Sequence, residues 1–472
     1  MTETLILHPD RFFPAEEAAR KAARRIYDEI RALPIVSPHG HVDAAWFASD
    51  EPFEDPVSTF IWPDHYVLRT LYSQGITLAQ LGRGGRGGEP AETDRRKIWR
   101  LFAELYPRLL GMPSRIWLDH VFATVFGLDV QLGPDMADHY FDTITEALAT
   151  PQLRPRALYD RFNIEVLATT EGALDSHRHH RAIAASSWPG RILSTFRPDD
   201  VVDPENEHFA ENLDRLAALT GESTRDWEGY LAALAVRRAQ FRRDGGATAT
   251  DHGHRTARTA NLPLAKCREL FRRARGGRVN PQDAELFRAQ MLTEMAAMSC
   301  SDGMTMQLHP GVWRNHNPGQ FLAYGRDIGA DIPMRMGYVE ELKPLLDRFG
   351  NRAELCLILF TLDESTYSRE LAPLAGHYPC LKLGPAWWFH DSPEGMLRLR
   401  RRTLESAGFY NTVGFNDDTR AFFSIPARHD LARRMDACFL AELVATHRLS
   451  LEQACAVAVD LTYNLPKSAY HF

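Results

Sequence analysis

Three short stretches concentrate side chains able to hold a divalent cation. Pro38-His39-Gly40-His41-Val42-Asp43 places two imidazoles two residues apart. In an extended chain such residues share a face, so His39 and His41 project together, as ligands of zinc or a similar ion would. Leu308-His309-Pro310 offers a third imidazole, and Asn416-Asp417-Asp418-Thr419-Arg420 a carboxylate. Taken singly, His309 reads equally as a packed core histidine and Asp418 as a helix N-cap. The metal reading requires all four to converge. A second His-x-His, in Asp251-His252-Gly253-His254, competes for the role. There His252 is expected to face the same site as a substrate contact or as support behind the ligands.

Convergence depends on the elements that carry these residues. Eight β-rich runs end in polar residues: 35–42, 163–171, 191–199, 246–253, 304–311, 354–360, 381–389 and 412–418. Between them, 175–185, 207–241, 281–298 and 393–408 carry apolar residues at three- and four-residue intervals, the helical period. Strands alternating with helices predict a parallel sheet, and eight such units predict closure into an α/β (β/α)8 TIM-like barrel. Active sites of such barrels lie at the C-terminal ends of the strands, where all the residues above fall. Residues 1–43 read as an N-terminal helix and first strand, 44–160 as a helical insertion over the barrel mouth, and 161–472 as the rest of the barrel with C-terminal helices. Within the insertion, 62–72, 97–106 and 136–147 have helical spacing. The Gly-rich patch at 82–88, followed by Glu89 and Pro90, has no preceding strand and no following Gly-Lys-Ser/Thr. It therefore reads as a flexible connector rather than a phosphate cradle.

Composition excludes several classes. A net charge of −7 gives no electrostatic pull toward phosphate backbones, so no nucleic-acid partner is expected. The basic stretches at 433–434 and 272–278 read as solvated helix faces. No run of about 18 apolar residues exists to span a bilayer, and no basic head with an apolar core opens the chain, so neither a membrane span nor a secretory leader is expected. The 6 cysteines form no C-x-x-C pair. Reduced thiols fit a cytoplasmic protein. A homo-oligomer is compatible with a chain of this size, and nothing in the sequence requires one.

The motifs then meet a family. Pro-His-Gly-His after the first strand and Asp418-Thr419-Arg420 at the eighth resemble the amidohydrolase superfamily. Trp62-Pro63-Asp64-His65-Tyr66-Val67-Leu68-Arg69, Thr169-Thr170-Glu171 with Asp175-Ser176, and Phe196-Arg197-Pro198-Asp199 narrow the resemblance to the uronate isomerases. So do Gln307-Leu308-His309 with Arg314-Asn315 and Gly384-Pro385-Ala386-Trp387-Trp388-Phe389. These run in family order across nearly the whole chain. The family pattern has a bulkier residue at His254, which demotes the second His-x-His.

The resemblance implies interconversion of D-glucuronate with D-fructuronate and of D-galacturonate with D-tagaturonate, in hexuronate catabolism. The reaction is an aldose–ketose shift that moves a proton between carbons 2 and 1 through a cis-enediol. It implies one divalent metal, expected to be Zn2+, held by His39, His41, His309 and Asp418. Such chemistry needs a cation for the substrate carboxylate, a base for the carbon-2 proton, and stabilisation of developing oxyanions. Arg197 is expected as the carboxylate clamp because a guanidinium binds carboxylate in bidentate fashion. Asp418 handles protons as well as metal, but a metal-bound carboxylate is a poor base, so Tyr66 or His65 is expected to share the work. Arg420 would stabilise the enediolate or make a structural ion pair. Arg314 and His252 would contact substrate, while Trp387 and Trp388 would wall the site, with core packing the alternative for at least one of them. The competing reading keeps the fold and changes the reaction to metal-dependent hydrolysis of a small carboxylated substrate. No histidine ends the sixth run and no bridging lysine is evident, Lys382 sitting early in its strand, so a single metal is favoured. A sugar-acid binding protein without catalysis would require damage to this constellation, and none is seen.

Overall fold

The computed structural model describes residues 3–88 and 90–472; Glu89 of the Gly-rich patch lies outside the described residues. Seven parallel strands form one sheet: β1 (Ile35–Ser37), β2 (Ile164–Gly172), β3 (Ile192–Arg197), β4 (Ala249–His252), β5 (Thr305–Leu308), β8 (Leu357–Leu359) and β9 (Leu381–Leu383), each paired to the next. A two-stranded antiparallel ribbon, β6 (Val312–Trp313) with β7 (Ile332–Pro333), interrupts the series beyond β5. The eighth run, 412–418, is not a regular strand and makes a single bridge, Leu383 to Thr412. It still closes the barrel. Leu383 N donates to Asn411 O at 2.8 Å and Val413 N to Leu383 O at 3.1 Å. On the other edge His41 N donates to Thr419 O at 2.9 Å and Asp418 N to His39 O at 3.3 Å. Gly414, at φ 80°, and Asp418, at φ 39°, break the extended geometry between those two edges.

Alternation sorts side chains into two shells. Ala249, Ile358, Phe360 and Val413 meet inside the barrel, and the C-terminal Tyr470 joins them, giving its hydroxyl to Gln307 Oε1 at 2.8 Å. Met306, Leu308, Leu357 and Leu359 point instead into the main core beneath the helices. The expected helix at 207–241 is two, Phe209–Thr220 and Trp227–Gly245. Gly221, at φ 77°, ends the first and Asp226 caps the second.

The stretch between β1 and β2 is helical, with helices at His65–Ser73, Arg95–Leu105, Pro113–Thr124 and Ala137–Leu148 among others. It builds its own aromatic core, in which the Phe122 ring meets Trp99, Tyr106 and Tyr140. The Gly-rich patch is pinned rather than a free connector. Trp62 Nε1 donates to Leu81 O, Arg83 Nη2 to Trp62 O and Arg86 N to Ala323 O, each at 2.7 Å. Arg433 and Arg434 also depart from expectation and are buried. Arg433 donates to the carbonyls of Arg31, Leu33 and Pro34, where the helix Glu17–Ile30 ends and leaves acceptors free. Among the described residues no helix is long and apolar enough to cross a membrane, and the six cysteines are free thiols.

Candidate active site

The ends of β1, β5 and the eighth stave meet around one point. His39, His309 and Asp418 each bring a ligand atom within 4.8 Å of the others. Nε2 of His41 lies 3.1 Å from Asp418 Oδ1 and that of His39 3.5 Å away. The rings of His39 and His309 stack at 4.7 Å. Burial pushes His39 down to about 4, so it is a neutral ligand at neutral pH. Burial alone would raise the Asp418 carboxyl, but His39, His41 and His309 outweigh it and hold it far below the usual carboxylate range. Trp387 donates its Nε1 to Asp418 Oδ2 at 2.5 Å, fixing the carboxylate from the other side.

Asp251, which sequence reasoning passed over, organises this cluster. It is fully buried and sits 2.7 Å from His309 Nδ1. Burial would raise it; Arg197 and the imidazoles of His309 and His39 reverse that and keep it ionised. A carboxylate only accepts, so Nδ1 of His309 carries the proton and Nε2 keeps a lone pair. That Nε2 is buried and has no hydrogen-bond partner among the described residues. A carboxylate behind an imidazole whose far nitrogen is unsatisfied is the arrangement that supports a metal ligand. The His/His/Asp cluster is thus compatible with a metal site.

A cavity of about 420 Å³ opens over the cluster. His39, His41, His309 and Asp418 form its floor, and His65, Tyr66, Arg197, Arg314, Trp387, Trp388 and Arg420 also line it. Helix His65–Ser73 delivers His65 and Tyr66 in its first turn. A π-helical turn, Val57–Ile61, precedes it, and Asp64 caps it by accepting from Tyr66 N at 2.8 Å. Burial and the nearby Arg420 push His65 down to about 4, leaving its imidazole neutral. Tyr66 is more committed: its hydroxyl donates to Asp391 Oδ1 at 2.6 Å and accepts from Phe389 N at 2.8 Å. Burial and Asp391 raise the phenol well above its ordinary value. Arg428 backs this pair, 3.0 Å from Asp391 Oδ2 and 3.6 Å from the Trp117 ring. Neither Asp391 nor Arg428 carries a motif that sequence reasoning could have used.

Most of the arginines are already engaged. Arg197 Nε lies 3.1 Å from Asp251 and 3.2 Å from Asp199. Arg314 pairs with Asp331 at 2.8 Å below the Trp388 ring, and Arg420 pairs with Asp327 at 3.3 Å. Trp387 and Trp388 stack at 5.7 Å and form one wall. Lys382 bonds Tyr410 O and Asn411 and does not line the cavity.

His252 does not belong to this site. On β4 the inward positions are Ala249 and Asp251, so Thr250 and His252 face the helices. His252 is completely buried, bonded to Thr250 Oγ1 at 3.0 Å, and absent from the cavity wall. The expected substrate contact is corrected to an outward packing residue, one position out of phase with Asp251.

A parallel barrel with a histidine–aspartate cluster at the C-terminal ends of its strands is of the amidohydrolase type. Comparison with known proteins narrows this. The glucuronate isomerase family model matches residues 12–470. The uronate isomerase of Phenylobacterium zucineum is 60% identical over 470 residues, covering 100% of this chain and 98% of that one. That of Xanthomonas campestris pv. campestris is 61% identical, with 100% of both chains covered. The crystal structure of glucuronate isomerase from Caulobacter crescentus superposes with a TM-score of 0.97 at 56% identity, covering 99% of this chain and 98% of that one. The chain belongs to the glucuronate (uronate) isomerase family and is an enzyme of the isomerase class.

Proposed function

We propose that the enzyme interconverts D-glucuronate with D-fructuronate, and D-galacturonate with D-tagaturonate, moving a proton between carbons 2 and 1 of the open-chain sugar through a cis-enediol. The observation that carries this reading is the junction of the His39/His309/Asp418 cluster with neutral His65 across one 420 Å³ cavity. His39, His41, His309 and Asp418 would hold one Zn2+, which as a Lewis acid polarises a substrate oxygen. His65, neutral and outside the set of metal ligands, takes the carbon-2 proton on its imidazole nitrogen, exchanges it with solvent and delivers a proton to carbon 1. Asp418, held ionised, accepts from a substrate hydroxyl and orients it. Tyr66 stays protonated and positions the wall through Asp391 and the Phe389 amide. Arg197 keeps its terminal nitrogens for the substrate carboxylate, Arg420 faces the developing enediolate, and Arg314 holds the rim. Trp387 and Trp388 exclude water from the reacting carbons. The helical segment 44–160 acts as a cap that brings His65 and Tyr66 to the mouth.

The test is incubation of the zinc-loaded protein with D-glucuronate in deuterated water, followed by NMR. Appearance of D-fructuronate with deuterium at carbon 1 is expected. If neither glucuronate nor galacturonate reacts while the metal is verified in place, the reading fails and hydrolysis of a small carboxylated substrate moves to the front.

A further inference from the structure

Beside the cavity at the strand ends lies a second chamber of about 640 Å³. The two share His41, Pro63, His65, Arg326, Asp327 and Arg420 as a common wall. The far side of the chamber is built from parts of the chain that the reaction above leaves unused. Trp46, Trp62 and Tyr324 supply aromatic surface, and the Gly-rich patch contributes Gly82, Arg83 and Gly84. Gly82 fixes that patch against the wall. It has φ 78°, and a Cβ there would lie 2.8 Å from Ile98 Cδ1 and 3.1 Å from Glu92 O, so only glycine fits.

The two compartments differ in how their cations are used. Over the cluster, Arg197, Arg314 and Arg428 each have a carboxylate partner; on the shared wall Arg420 pairs with Asp327, and Asp43 adds a second carboxylate to the chamber. In the chamber, Arg83 gives Nη2 to the Trp62 carbonyl and keeps a buried Nε with no hydrogen bond among the described residues. Arg326 is exposed at the shared wall. A partly desolvated guanidinium with unspent donors is a receptor for a carboxylate. The Trp46 indole suits the apolar C–H face of a sugar ring, whereas the Trp62 ring is covered by the Arg95 guanidinium at 3.8 Å.

We propose that this chamber is a subsite for a second uronosyl residue, so that the enzyme also isomerises the reducing end of a 4-linked diuronide. The proposal rests on the uronate isomerase reading of the first cavity. Its chemistry is self-contained. The reaction needs carbons 1 and 2 and an aldehyde freed by ring opening at O5, and a substituent on O4 obstructs none of them. The proton leaves carbon 2 and a proton returns at carbon 1. The glycosidic bond stays intact, no co-reactant is consumed, and the product is a disaccharide ending in a ketose. Arg83, with Arg326, binds the carboxylate of the non-reducing residue, and Trp46 supports its ring.

The test compares galacturonate with digalacturonate on the metal-loaded enzyme and on its Arg83→Met variant, following ketose formation by NMR. The wild type is expected to convert both. The variant is expected to raise KM for the disaccharide about tenfold more than for the monosaccharide, as loss of a charge-assisted contact predicts. Should Arg83→Met fail to fold, Arg326→Met makes the same comparison from the other side of the chamber. Turnover of galacturonate alone, with digalacturonate neither reacting nor competing, overturns the subsite and leaves the isomerase reading intact. Equal effects of the variant on both substrates also overturn it. Inertness toward both sugars removes the isomerase reading, and the subsite falls with it.

Discussion

Two His-Gly-His triplets end two strands of one barrel, and their fates are opposite. After β1, His39 and His41 both reach Asp418 and the cavity. At β4, His252 is turned under the helices while its neighbour Asp251 points inward and holds both His309 and Arg197. Local sequence is the same; strand phase differs by one residue. Because side chains alternate with period two, a one-residue difference in phase exchanges the inner face for the outer. The inner residues are placed to do chemistry and the outer ones to hold the barrel together.

That contrast can be broken or sharpened by substitution. The largest expected effect is at the inner face. Asp418→Asn should lower kcat in the NMR assay by about 10³-fold or more, since on the proposed mechanism it removes both a metal ligand and a substrate acceptor. A variant keeping about a tenth of the wild-type rate would place the chemistry elsewhere. Asp251→Asn keeps the shape but removes the charge behind His309. Metal affinity, read by competition with a chromophoric chelator, should fall about 10–100-fold; unchanged affinity would deny Asp251 its supporting role.

Tyr66→Phe should cost about tenfold in kcat, as its hydroxyl orients the wall through two hydrogen bonds. Because the phenol is held above its ordinary value of 10.0, the wild-type pH–rate profile should show no limb that Tyr66→Phe abolishes. Such a limb would make Tyr66 the base.

The smallest effect belongs to the outer face and concerns stability alone. Glu171 lies under the helix Arg178–Ala184, bonded to Thr169 and Ser194, and burial raises it to about 8. A folded-state value above the unfolded one means the group's contribution is complete below about 4.5 and is lost as pH rises through about 8. Denaturant unfolding should therefore show stability declining across that window in the wild type and a flatter curve in Glu171→Gln. Identical slopes would remove Glu171 from the account.

Much of this was legible because strands that end in polar residues announce themselves. Seven of the eight runs form strands near their expected places, and His39, His309 and Asp418 cluster at the strand ends with His41 beside Asp418. What was not legible follows from geometry that no local pattern records. The run at 246–253 does not reveal which of Asp251 and His252 faces inward, since both are polar and the phase is fixed by pairing with β5. The segment 412–418 carries β-rich residues, yet positive φ at Gly414 and Asp418 reduces it to scattered hydrogen bonds. Arg433 looks like part of a charged face until the carbonyls at the end of a helix some 400 residues earlier are seen to need it, and Arg434 until it meets Asp430 and the Pro9 carbonyl. The Gly-rich patch looks free until Arg86 N meets Ala323 O across the mouth.

The central claim is that strand phase, not the triplet itself, decides which histidines join the cluster proposed to hold a metal. The direct test is metal content by elemental analysis of His39→Gln and His252→Gln, purified side by side, with turnover measured on the same samples. The account predicts that His39→Gln loses metal and activity together while His252→Gln keeps both, paying only in stability. Loss of metal from His252→Gln with retention in His39→Gln would contradict it.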